Sequence, residues 1–189
     1  MTKRRYKHIT YHPMSALQAL VPRCGLDHAE ALAIAEVQAT ALLKMVDVER
    51  PPVPVLELAE HLDVVCEHDP TAGVIGHCEL RDEVWHISYG DQSPPGRDAT
   101  VAHQLKRILD SPFGNALYPP VEVMATTLRG YYAAEYFAMC LTQPQRWVEQ
   151  AWRRQEQDVG RLAELFGTTP ESMLFRLKTL RLVEPGVEL

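Results

Sequence analysis

The order of hydrophobic patterns predicts an α+β fold: helices, then a small three-stranded antiparallel or mixed sheet, then helices to the end. Three observations carry this. Residues 26–46 repeat apolar side chains at three- and four-residue steps, residues 64–89 hold three short β-like runs, and every patterned stretch beyond residue 98 is helical. A chain of 189 residues builds one substantial core with at most a small helical appendage, at roughly 100–200 residues per domain. We divide it into a flexible basic N-terminus (1–12), a main domain (13–155) and a C-terminal helical subdomain (156–189).

The first helix is a short one from Met14 to Ala19, ended near Pro22 and Gly25. The second, 26–46, carries Ala31, Ile34, Val37, Ala41, Leu42 and Met45 as its expected buried stripe. "RPPVPV" (50–55) cannot continue a helix, because proline removes a donor and holds its predecessor extended. It delivers a third helix, Val55 to His61. Val64 to Glu67 reads as a strand, and the runs 73–80 and 83–89 read as a hairpin although their turn has no glycine. Residues 90–98 read as a loop, followed by helices at 98–110, 120–142, 144–155, 157–166 and 170–182. The last two join at Gly167, with Thr169 as N-cap and Pro170 in the first turn, in the form of a helix-turn-helix or of any tight helical hairpin.

A net charge of −6 argues against wholesale coating of nucleic acid. The basic run Lys3, Arg4, Arg5 and Lys7 reads as a solvated terminus. No window approaches the ~18 apolar residues of a membrane span, and no signal-peptide core follows the basic start, so the expected location is the cytoplasm. Cys24, Cys66, Cys78 and Cys140 are scattered without a Cys-x-x-Cys pair, which speaks for reduced thiols and against a four-cysteine zinc site.

The stretch with chemical interest is "HQLKR", His103 to Arg107. In His-Glu-x-x-His peptidases two histidines one helical turn apart hold zinc, and the glutamate takes a proton from the metal-bound water. Here only His103 is retained. Gln104 is a neutral amide that cannot act as a base, and Arg107 stands where the second histidine would be, with no lone pair to offer a cation. His77, His86 and His68 are the other histidines near the sheet, read as partly exposed polar surface in preference to a metal site.

The surroundings of this stretch resemble the ImmA/IrrE family of metallopeptidases, in its actinobacterial and mobile-element versions. "PPVPVLELAEHLDVVCE" is similar to that family's early helix and first strand, and "VWHISYGDQSPPGRDATVAHQLKRILDSP" to its strand, loop and His-Glu-x-x-His helix. "YFAMCLTQPQRWVEQAW" and "LAELFGTTPESMLFRLKTLRLV" resemble its Phe-Ala helix ending and its C-terminal helical pair. The likeness covers residues 50 to 183 and implies a zincin-like domain followed by a helix-turn-helix-like bundle. It also implies an acidic third ligand one to two turns before Phe137, where this chain has Tyr131, Tyr132, Ala133 and Ala134, with Glu135 expected at the wrong helical phase.

The expectation is therefore a degenerate site with no catalytic residue, no metal and no cofactor. Arg107 is expected to pair with Glu135 or Asp110 in the volume of the lost ion, because a buried guanidinium needs a carboxylate. Active family members cleave a nearby-encoded helix-turn-helix repressor, so the resemblance implies a regulatory protein that binds such a partner without cutting it. One alternative is DNA binding through residues 157–183, with Arg176, Lys178 and Arg181 meeting phosphates. Against it, the six Lys or Arg of residues 152–189 (153, 154, 161, 176, 178, 181) are balanced by six Asp or Glu (156, 158, 164, 171, 184, 188). The other alternative is a zinc endopeptidase with a non-standard site. Trp147, Trp152 and the pair Tyr131–Tyr132 are partner anchors if exposed, and helix-packing core otherwise; oligomeric state stays open.

Overall fold

The computed structural model describes residues 12–22, 25–119, 126–154, 157–184 and 186. The basic run of residues 3–7 and Cys24 lie outside them. The order of elements is α1 (Pro13–Gln18), α2 (His28–Met45), α3 (Val55–His61), β1 (Val64–His68), β2 (His77–Arg81) and β3 (Val84–Tyr89). There follow α4 (Pro94–Asp110), a 3-10 segment (Ser111–Ala116), α5 (Thr126–Thr142), α6 (Gln145–Arg154), α7 (Val159–Phe166) and α8 (Pro170–Thr179). No helix among the described residues is long and apolar enough to cross a membrane.

The sheet is mixed, in the order β1-β3-β2: β1 runs parallel to β3, and β2 returns antiparallel against it. The hairpin turn is Asp82–Glu83, both at positive φ (47° and 64°), the requirement of a primed turn met here without glycine. One sheet face lays Val64, Cys66, Cys78 and Ile87 toward the helices; the other carries Glu67, Glu79, Arg81 and His86, linked by ion pairs.

Helix α2 starts at a capping box between Asp27 and Glu30. Its buried face is rotated from the expected one. Ala35, Ala39, Leu42 and Leu43 are buried, whereas Val37 and Met45 are exposed. Small side chains let α2 and α5 approach closely, with Ala133, Ala134 and Ala138 of α5 also buried. Gln38 is buried on the same side because its amide donates to the Leu17 carbonyl (3.1 Å) and holds α1 down. α4 begins four residues earlier than the loop reading of 90–98 allowed: Pro94 and Pro95 fill its first turn, where a missing N–H costs nothing.

Two cores result. The larger joins α1–α5 and the sheet, through Leu58, Ile87, Leu105, Ile108 and Phe137 among others. The smaller gathers Val148, Trp152, Leu162, Phe166, Met173 and Leu177 of α6–α8, and Trp147 packs against both. At the junction between α7 and α8, Gly167 closes α7 in the left-handed region, and the Thr169 hydroxyl accepts from the Ser172 N–H as the N-cap of α8.

Candidate functional site

The site is built on α4, whose Val101, Ala102, Leu105, Ile108 and Leu109 are fully buried and fix its rotation. That rotation brings His103 and Gln104 under the turn at residues 73–76 and leaves Arg107 exposed at the helix's outer edge. Gly76 makes the close approach feasible. It has φ +64°, and a Cβ there would lie 2.5 Å from the Ser88 carbonyl oxygen and 2.8 Å from Thr100 Cγ2. With the turn so placed, the Gln104 amide donates to the carbonyls of Ile75 (2.9 Å) and Gly76 (3.3 Å), and Thr100 Oγ1 donates to Val74 (3.0 Å).

His103 is 3% exposed and its Nδ1 lies 2.7 Å from Glu135 Oε1. An ionised carboxylate only accepts, so Nδ1 carries the proton. The Tyr131 ring lies 5.2 Å from the imidazole, and its phenol is pushed up first by the charge of Glu135 and then by burial. Arg107 donates to Gln104 Oε1, at 3.3 Å. A cleft of about 470 Å³ opens here, lined by Ile75, His103, Arg107, Asp110, Tyr118 and Tyr131 among others.

Two expectations are corrected. Glu135 is in phase with His103, because α5 crosses α4 at this level and the carboxylate reaches back along the helix surface. It therefore pairs with the histidine and not with Arg107. Asp110 is not Arg107's partner either: it accepts from Lys106 Nζ (2.6 Å) and from the Tyr118 hydroxyl (2.5 Å). Arg107 is exposed and lines the mouth of the cleft.

Sequence reasoning missed the triad Lys106–Asp110–Tyr118. Lys106 is fully buried; its i+4 spacing to Asp110 was the available signal. Burial lowers the Lys106 pKa from the ordinary 10.5, opposed by Asp110, while burial and then the Asp110 charge raise that of Tyr118.

The donor set does not fit zinc. His103 and Glu135 engage one another, the place one turn beyond His103 holds a guanidinium, and among the described residues no three His, Cys, Asp or Glu converge on a point where an ion would sit. Nor do the histidines of the sheet form a three-ligand group among the described residues: His77 (3.8 Å) and His86 both face Glu79, His86 also approaches Glu67 (3.2 Å), and His68 pairs with Asp91 (2.7 Å). Burial pushes the Cys66 and Cys140 thiols up to about 11 and raises Cys78, so these three present no ready thiolate nucleophile at neutral pH.

At the C-terminus, Arg176 is fully buried and therefore not a phosphate or partner contact. Its Nε donates to the Gln143 carbonyl (3.0 Å), its guanidinium lies 3.9 Å from Glu36, and the Tyr136 ring centre is 6.0 Å away. Lys178 is half-buried and Arg181 exposed. Trp152 is core and Trp147 is half-buried between the cores, so neither is a free anchor; Tyr131 and Tyr132 are exposed.

No family model and no curated protein matches the chain. Among solved structures it is similar to a Mycobacterium tuberculosis transcriptional regulator, at 16% identity and a TM-score of 0.61, over 92% of this chain and 53% of that one. The chain thus spans about half the length of that protein, and the likeness establishes a shared fold.

Proposed function

We propose that the chain is a regulatory protein that binds a protein partner, a helix-turn-helix transcriptional repressor, without cleaving it, and that it is a peptidase-like fold of the ImmA/IrrE type whose metal site has been lost. The observation that carries this reading is the tie of Gln104. Where a zinc peptidase places its general base, this chain has an amide whose nitrogen is bonded to the Ile75 and Gly76 carbonyls. The residue is used to fix the 73–76 turn to α4, which is a structural task. The fold likeness to a protein described as a transcriptional regulator is compatible with a regulatory role. DNA binding through α8 is the weaker reading, because Arg176 points inward.

The test uses the full chain mixed with a purified helix-turn-helix repressor encoded near it. A complex of fixed stoichiometry is expected, with the repressor intact by mass spectrometry and its operator released in a mobility shift. Zinc-dependent cleavage abolished by His103→Ala would overturn the reading, as would salt-sensitive binding of random duplex by the chain alone. The resemblance itself is tested by the double variant Q104E with R107H: one equivalent of zinc by elemental analysis, lost on E135A, supports the descent, and no uptake argues against it.

A further inference from the structure

Beside the His103 cleft lies a second concavity of about 530 Å³, walled by α2, the start of α4, α5, the α7–α8 turn and α8. Leu32, Tyr132, Met139 and Phe175 give it an apolar lining, while Glu135 and Glu171 are its charged members; His28 also lines it, and among the described residues no Lys or Arg does. Phe175 is 62% exposed and Tyr132 43%. An aromatic on α8 with most of its surface in water, beside an apolar groove, marks a surface made to be covered.

We infer that this groove is the docking site for an amphipathic helical segment of the protein partner, with apolar anchors on one face and Lys or Arg flanking them. This rests on the proposed regulatory reading and specifies its surface. The form follows from the walls. They are almost all helical, so their backbone donors and acceptors are satisfied internally and no strand edge is offered to an extended peptide; recognition falls to side chains, as in helix-in-groove binding. The charge follows from Glu135 and Glu171, which leave the rim anionic on a chain of net charge −6 and select a cationic segment. Glu135 serves both places, bonding His103 on one side and lining the groove on the other, so the segment lies alongside the degenerate site and not across it.

The probe is a displayed library of random 16-residue peptides, selected on the purified full chain alone. Enriched peptides are expected to carry apolar residues at i, i+3 or i+4, and i+7, a net positive charge, and affinity that falls about tenfold or more in Phe175→Asp and Phe175→Ala. Glu171→Lys is expected to weaken them and to be rescued by exchanging the peptide's basic flank for glutamate. Circular dichroism checks that the variants fold, which exposure of Phe175 favours. Absence of enrichment, acidic or patternless winners, or binding indifferent to Phe175 overturns the inference. So does a wild-type dimer in sedimentation that Phe175→Asp dissociates, since a second copy would then be the occupant. A repressor complex that survives Phe175→Asp overturns the groove and leaves the regulatory reading standing; absence of any repressor complex with the wild type, alongside patterned peptides lost on Phe175→Asp, does the reverse.

Discussion

Lys106 and Arg107 are neighbours in sequence and about 100° apart on one helix, and they meet opposite fates. Lys106 is fully buried and locked by Asp110 and Tyr118, whereas Arg107 is exposed with a long contact to Gln104. The cation that stands at a ligand position of the resembled motif does little in the fold, and the one beside it, at a position the motif leaves unspecified, holds the end of α4 to the segment after the 3-10 turn. Helix phase, not residue type, assigns the roles.

The strongest way to break this comparison is Asp110→Ala, which strands the Lys106 ammonium in the core. A loss of about 3–5 kcal/mol is expected in urea unfolding, the usual cost of removing one member of a buried pair. Adding Lys106→Met to that variant is expected to recover a large part of the loss, since the stranded charge and not the missing carboxylate is the cause. If the double variant is as unstable as the single one, the contrast between the two cations is wrong.

Alkaline titration gives a second test. Lys106 titrates lower in the fold than the 10.5 of an unfolded lysine, so between those two values the unfolded chain binds more protons and stability rises with pH. Tyr118 titrates above its ordinary 10, so from there upward the unfolded chain releases a proton that the fold keeps, and stability falls. Urea midpoints measured through the alkaline range are expected to carry the lysine's rising contribution below pH 10.5, and Lys106→Met is expected to lose it. A pH slope below 10.5 that is unchanged in that variant would show that the lysine's burial carries no proton linkage.

His103–Glu135 stands between the extremes, with one partner buried and the other half in water. Glu135→Gln keeps an acceptor for Nδ1 and removes the charge, so the expected loss is about 0.5–1 kcal/mol, discounted for solvent at the carboxylate. A loss above about 2 kcal/mol would place this pair with Lys106 instead.

Much of this was legible in the sequence, and the failures share a cause. The α+β order, the mixed or antiparallel hairpin sheet, α3, and the Thr169–Pro170 start of α8 follow from local rules. Arg176 was misread because its charge outweighed its position: it lies on the stripe of Met173 and Leu177, the buried face of α8, so phase alone would have placed it inside. Lys106 is the same case, on the stripe of Ala102, Leu105 and Leu109. The meeting of Glu135 with His103 is different in kind. It depends on the level at which α5 crosses α4, and spacing within either helix carries no information about that.

The smallest effect bears most directly on the proposed loss of a metal site. Arg107→Ala removes an exposed guanidinium that donates to Gln104 Oε1 at 3.3 Å, an oxygen that water can serve as well. The change in stability is expected to stay within about 0.5 kcal/mol, because exposed polar contacts contribute little. Gln104→Ala, by contrast, frees the Ile75 and Gly76 carbonyls from a buried donor, and its larger loss would show that the fold uses the amide and not the cation beside it. If Arg107→Ala cost as much as Gln104→Ala, the guanidinium would be stabilising the cleft after all, and the contrast between the two cations of α4 would fail.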